Sequence, residues 1–92
     1  MSRRRVVVTG LGIVSPVGND VDTAWKNILA GKSGIGPITG FDVSAFTTKF
    51  AGQIKDFRPE EWMNPKDVKR TDPFIHYGVA AAKQAIRDAG LD

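Results

Sequence analysis

Residues 3–18 run Arg3-Arg4-Arg5-Val6-Val7-Val8-Thr9-Gly10-Leu11-Gly12-Ile13-Val14-Ser15-Pro16-Val17-Gly18, and their reading decides the fold. Three consecutive valines without polar alternation suit a strand buried on both faces, as in a parallel sheet. The arginines read as the solvated mouth of that strand rather than as a nucleic-acid contact. The segment after Thr9 reads as a loop. Pro16 is barred from a helix interior, and Gly10, Gly12 and Gly18 allow positive φ or close backbone approach. A helix is expected next, with Asn19 or Asp20 as its N-cap. Val21, Ala24, Trp25, Ile28 and Leu29 recur at three- and four-residue spacing as one apolar stripe, and Gly31 closes the helix. Residues 4–30 therefore read as a β-loop-α unit.

Further along the signals are more local. Residues 31–47 carry no clear period and read as loop, with a turn at Phe41-Asp42. Residues 49–55 alternate weakly and predict a short strand. Pro59-Glu60-Glu61-Trp62-Met63 and Asn64-Pro65-Lys66-Asp67-Val68-Lys69-Arg70 predict two helical turns, each with Pro at its first position. The second has basic residues at its C-terminal end, favourable to the helix dipole. A longer helix follows, with Asp72 as cap and Pro73 as first residue. Ile75, Val79, Ala82, Ile86 and Ala89 mark its expected apolar face, Ala80-Ala81-Ala82 and Ala85 permit close approach to a neighbour, and Gly90 ends it.

The chain has 92 residues, 41% hydrophobic and 25% charged, with ten Gly and five Pro that follow no period. Those proportions exclude a disordered tail and a collagen-like chain. No apolar run approaches the ~20 residues of a membrane span, and Val6–Val8 is too short for the roughly 7–15-residue apolar stretch of an export signal. The absence of Cys removes disulfides, thiolate metal sites and a cysteine nucleophile from this chain. One histidine, His76, builds neither a zinc cluster nor a His-pair mechanism, so no metal site is expected. A chain this short buries only about 60–65% of its unfolded surface. Without a staple, either its packing is very good or it is part of something larger.

Two nucleotide motifs fail on inspection. Gly10-x-Gly12 begins a dinucleotide fingerprint, but Ser15-Pro16 stands where the third glycine and the helix start should be. Gly31-Lys32-Ser33 resembles the end of a phosphate loop, but it follows a helix and Lys26 occupies the first-glycine position. His76, beside Tyr77, reads as a packing or surface residue rather than a base. Phe41, Phe46, Phe50, Phe57, Trp62, Phe74 and Tyr77 read as core rather than as a base-stacking platform. Lys66, Lys69 and Arg70, at i, i+3 and i+4, share one face of a short helix. By composition alone that face is a solvated one, and the net charge of +3 fits an acidic partner without requiring it.

The string from Arg4 to Asn19 resembles the N-terminus of the β-ketoacyl-acyl carrier protein synthases, the condensing enzymes of fatty acid synthesis. Ser15-Pro16-Val17-Gly18 is nearer the type II than the type I enzymes. Trp25, Leu29-Ala30-Gly31-x-Ser33-Gly34-Ile35, Phe41-Asp42, Thr48-Lys49-Phe50-Ala51-Gly52, Lys55-Asp56-Phe57 and Asp72-x-Phe74-Ile75-x-Tyr77-Gly78 resemble that family in order, across essentially all 92 residues.

The resemblance implies an α/β fold, the N-terminal portion of a thiolase-like αβαβα sandwich, with residues 1–92 as the opening of its first half and the remainder absent. It implies an acyltransferase in the full-length protein. A cysteine thiolate takes an acyl chain from its carrier protein, malonyl-carrier protein loses CO₂, and the enolate attacks the thioester while two histidines stabilise the oxyanion. None of those residues lies in this chain. They are expected beyond Asp92, and the chain alone should be inactive and poorly stable. The resemblance also implies a cytoplasmic homodimer with no cofactor, acyl- and malonyl-loaded carrier protein as partner, and no membrane or nucleic-acid partner. In the type II enzymes basic residues on the short helix before the Asp-x-Phe helix contact the acidic carrier protein, and Lys66, Lys69 and Arg70 match those positions. The alternatives are a non-catalytic carrier-protein-binding module and a ketosynthase of polyketide synthesis.

Overall fold

The computed structural model describes residues 3–91. Asp92, beyond which the catalytic residues are expected, lies outside the described residues, as do Met1 and Ser2. The first helix, α1 (Val21–Leu29), starts where Asp20 takes an extended conformation and its Oδ1 accepts the Thr23 N–H at 2.8 Å. Asp20, rather than Asn19, is thus the cap, and the Thr23 hydroxyl donates to its other oxygen at 3.0 Å. The helix closes at Gly31, whose φ of 72° suits a residue without Cβ, while Lys32 N–H returns to the Asn27 carbonyl at 2.9 Å.

Strand β1 (Ile35–Pro37) pairs antiparallel with β2 (Phe50–Gly52), in the register Ile35 to Gly52, Gly36 to Ala51 and Pro37 to Phe50. The expected strand within residues 49–55 is therefore present. Its partner falls inside the stretch that reads as loop, because glycine and proline conceal a strand from period-based reading. Pro37, which cannot donate, sits at the strand's last position, and Ile38 N–H continues the ladder to the Lys49 carbonyl at 2.9 Å.

Pro59–Glu61 forms a 3₁₀ turn, followed by α2 (Pro65–Arg70) and α3 (Pro73–Asp88). Both Pro-initiated turns and the long helix agree with their sequence signals, with one difference. Asp72 stands at the N-cap of α3, but its side chain makes no capping hydrogen bond.

The expected strand over residues 3–8 does not form. No strand partner lies beside it among the described residues, and Val6, Val7 and Val8 are 88%, 69% and 78% exposed. The segment after it lies along α3 instead. Leu11 N–H donates to Asp88 Oδ2 at 3.0 Å, and Ile13 N–H to Gln84 Oε1 at 3.1 Å. Contact is close because both surfaces are bare: a Cβ on Gly12 would lie 2.0 Å from the Ala81 carbonyl oxygen, and one on Gly10 would lie 2.2 Å from that of Ala85. The alanine run does permit the close approach expected of it. The buried face of α3 is correspondingly rotated from the expected stripe, since His76 and Ala80 are buried while Ala82 and Ile86 are exposed.

The core is thin. Ala24 and Ala80 are its buried apolar residues among those described. On α1, Trp25, Ile28 and Leu29 are exposed, so the stripe is present but lacks a covering surface. The aromatics are not the core they were expected to be. Phe41, Phe46, Phe50 and Phe74 are exposed and Phe57, Trp62 and Tyr77 are half-buried; among the described residues the ring pairs are edge-to-face, Phe57 with Tyr77 at 5.1 Å and Phe41 with Phe46 at 6.1 Å. The radius of gyration is 16.7 Å, against about 12 Å for a compact domain of this length. These residues are spread as a layer, not gathered around a centre.

Candidate functional site

A six-residue helix is too short to persist on its own propensity, so α2 depends on its ends. At the N-terminus Asn64 Oδ1 accepts the Asp67 N–H at 3.0 Å, a cap of about 1 kcal/mol, and Pro65 fills the first position. At the C-terminus the chain turns extended at Thr71, leaving the last carbonyls without helical donors. Two side chains serve two of them. The Thr71 hydroxyl donates to the Asp67 carbonyl at 2.7 Å, and His76 Nε2, from α3, lies 3.2 Å from the Val68 carbonyl oxygen.

The turn preceding α2 is fixed to the same helix. The Lys83 ammonium donates to the Trp62 carbonyl, and the Arg87 guanidinium lies 5.0 Å from the Trp62 ring centroid. Both cations come from α3, one turn apart. The 3₁₀ turn is thereby fixed to α3, and α2, which packs beside that turn, is joined to α3 through His76.

On α2 Lys66, Lys69 and Arg70 are all exposed, and their spacing puts them on one helix face. Lys69 and Arg70 occupy the last turn, where cations complement the dipole. The structure thus brings the three predicted residues together as a solvent-facing positive surface. Chemically such a surface attracts and orients an acidic partner; it performs no bond-making.

A second polar region surrounds the Ser15–Asp20 loop. Lys55 Nζ donates to the carbonyls of Pro16 at 3.0 Å, Gly34 at 3.1 Å and Gln53 at 3.4 Å. Asn27 donates to the Val17 carbonyl, Asn19 Nδ2 to the Lys55 carbonyl at 2.7 Å, and Gln84 Nε2 to the Asn19 carbonyl at 2.7 Å. Ser15 Oγ is committed to the Gly18 carbonyl at 3.1 Å. These donors are spent on backbone, so the region holds the loop in place and presents no activated nucleophile. Spacing does not mark Lys55, Asn27 or Gln84, since isolated polar residues carry no period; Lys55 enters the sequence reading by name within the Lys55-Asp56-Phe57 string of the resemblance. His76 fits its reading as a packing residue: it is buried, its ring committed to α2, with no carboxylate hydrogen-bonded to it among the described residues.

Among the described residues no group of three His, Asp or Glu side chains is placed to hold a metal. One carboxylate is electrostatically distinct. The Ser44 backbone N–H, then the Ser44 hydroxyl, hold the Asp42 carboxyl below its ordinary range, in a turn where that N–H lies 3.0 Å from Oδ1.

Comparison with known proteins supplies the remaining finding. The family described as "Beta-ketoacyl synthase, N-terminal domain" matches residues 3–92. The chain is 54% identical over 92 residues to "3-oxoacyl-[acyl-carrier-protein] synthase 2" of Vibrio cholerae, all of this chain and 22% of that protein. It is 48% identical over 92 residues to the protein of the same description from Coxiella burnetii, again 22% of its length. Among solved structures it superposes on "The ishigamide ketosynthase/chain length factor" with a TM-score of 0.89 and 40% identity, over 99% of this chain and 23% of that one. The chain thus spans about a fifth of the length of the relatives it matches.

Proposed function

The chain belongs to the β-ketoacyl synthase family, through its N-terminal domain, and has the α/β fold of the N-terminal portion of a thiolase-like synthase; on that premise we propose that it is the opening segment of a fatty-acid condensing enzyme. In this reading residues 1–92 begin the first thiolase-like half, and the protein beyond Asp92 supplies the cysteine and histidines that this sequence lacks. The full protein is an acyltransferase. Its thiolate attacks the acyl-carrier thioester and releases the carrier thiol, malonyl-carrier protein releases CO₂, and the enolate carbon bonds to the acyl carbonyl as the enzyme thiolate leaves. It works without a cofactor, as a cytoplasmic homodimer.

Within this segment α2 is the carrier-protein surface, with Lys66, Lys69 and Arg70 meeting acidic side chains of the partner. Opposite charge steers the encounter and fixes its orientation more than it adds affinity. The observation that carries the reading is the match to 3-oxoacyl-[acyl-carrier-protein] synthases over the whole chain. A polyketide ketosynthase is the second reading, supported by the ketosynthase/chain length factor at 40% identity, below the 54% of the fatty-acid relative.

The test is a condensation assay with acyl- and malonyl-carrier protein. The full gene product is expected to release CO₂ and form the β-ketoacyl thioester, while the 92-residue chain alone forms none. A full product that binds carrier protein without condensing is instead a non-catalytic binding module.

A further inference from the structure

The sole histidine lies in a place that the condensation chemistry does not use. His76 is 8% exposed, is the fourth residue of α3, and directs Nε2 to within 3.2 Å of the Val68 carbonyl oxygen. Val68 is the central residue between Lys66 and Arg70, on a helix of only six residues. A carbonyl is an acceptor, so the ring must carry its proton on Nε2. Val68 is also one of the last four residues of α2, whose carbonyls no helical N–H reaches because Thr71 is extended. The Thr71 hydroxyl serves Asp67 at 2.7 Å. His76 is the group that serves the next carbonyl, and it is the one that reaches across from another helix.

We propose that His76 is the positioning residue of the basic surface: by donating from Nε2 to the Val68 carbonyl it fixes the angle of α2 on α3, and so the direction in which Lys66, Lys69 and Arg70 face an acidic partner. It touches neither the partner nor the reacting atoms. The proposal rests on the reading of α2 as the carrier-protein surface. The remaining ties explain why one hydrogen bond matters. The Asn64 and Thr71 bonds are internal to α2 and its flanks, so they hold its shape but not its attitude. The Lys83 and Arg87 contacts fix the preceding turn at Trp62, on the N-terminal side. Among the described residues the His76 bond is the one side-chain hydrogen bond that ties the body of α2 to α3; without it the attitude of α2 rests on the two-residue Thr71–Asp72 link and on the contacts at Trp62.

The experiment compares His76→Gln and His76→Leu in the full-length enzyme. Glutamine keeps an N–H donor on a side chain of similar reach; leucine keeps bulk and loses the donor. KM is measured for acyl-carrier protein and for the same acyl group on free pantetheine, which has no acidic surface to dock. With H76L, KM for the carrier-linked substrate is expected to rise about five-fold, the equivalent of one net hydrogen bond, with KM for the pantetheine thioester and kcat for both substrates unchanged. With H76Q the carrier-linked KM returns toward that of the native enzyme. Amide exchange of residues 65–70 should rise in H76L and not in H76Q. Equal changes toward both substrates, or H76Q as impaired as H76L, would overturn the proposal and leave His76 with a role in packing alone. Lys66→Glu/Lys69→Glu/Arg70→Glu, measured in parallel, separates the premise. If that variant leaves the carrier-linked KM unchanged, the docking reading fails; if only the His76 variants do so, the positioning role fails.

Discussion

The Cα of Gly12 lies so close to Ala81 that a Cβ there would stand 2.0 Å from the Ala81 carbonyl oxygen and 2.8 Å from the Gln84 Cβ. The backbone of the N-terminal segment and the backbone of α3 meet at this point with no side chain between them, and Gln84 completes the join by accepting from Ile13 N–H. Gly12→Ala in the full-length protein should therefore force the two backbones apart and cost about 1–3 kcal/mol. Gly36→Ala is the control, since a Cβ there meets nothing within 4 Å and should change stability by less than about 0.5 kcal/mol. Urea midpoints read both, and equal midpoints for the two variants would contradict the close approach.

The Lys55 ammonium gathers three carbonyls from three segments, those of Pro16, Gly34 and Gln53. Lys55→Met keeps the alkyl stem and removes every donor. The expected cost is about 1–2 kcal/mol, since bonds to a charged donor are stronger than neutral ones but this one is exposed to solvent. Amide exchange should rise around residues 15–19 and 34–36. Exchange unchanged in that loop would show that the ammonium does not hold it.

Arg87 over Trp62 binds the 3₁₀ turn to α3. Arg87→Leu keeps much of the apolar stem and should cost about 0.5–1 kcal/mol, the usual worth of an exposed cation–π pair. Trp62 emission, read in a Trp25→Phe background, should shift in the variant. An unaltered spectrum together with unaltered stability would argue that the pair contributes nothing.

Asp42 titrates below the ordinary carboxylate range because the Ser44 N–H, and secondarily its hydroxyl, bind the ionised form. A folded pKa lower than the unfolded one stabilises the turn fully above the unfolded value, and that contribution is lost as pH falls through the folded value. A carboxyl carbon titration should show the depression, and Ser44→Ala should relieve only part of it, because the larger backbone contribution stays. An undepressed Asp42 in the native protein would contradict the turn.

Helices were the legible part of this sequence. Asp20, Asn64, Pro65, Pro73 and Gly31 each act through a local backbone preference, and local preferences survive whatever the rest of the fold does. What failed was long-range. Val6–Val8 read as a buried strand, yet a strand exists only through hydrogen bonds to a neighbour, and the described residues provide none. The aromatic residues and the α1 stripe read as core for the same reason: hydrophobicity states that a surface is to be covered, not that the covering residues belong to the same 92. Strand β1 was hidden by Gly36 and Pro37, which carry no period. Of the candidate site, the spacing of Lys66, Lys69 and Arg70 was readable, but the His76, Lys83 and Arg87 contacts that seat their helix were not, because they join residues that only folding brings together.

The central claim, that α2 receives an acidic carrier protein, is tested most directly by charge reversal. The full-length enzyme carrying Lys66→Glu, Lys69→Glu and Arg70→Glu would be titrated with acyl carrier protein at low and at moderate ionic strength, beside the native enzyme. The account predicts a Kd at least about ten-fold higher at low salt, with the gap narrowing as salt screens the native attraction. An equal Kd for both proteins at low ionic strength would contradict it.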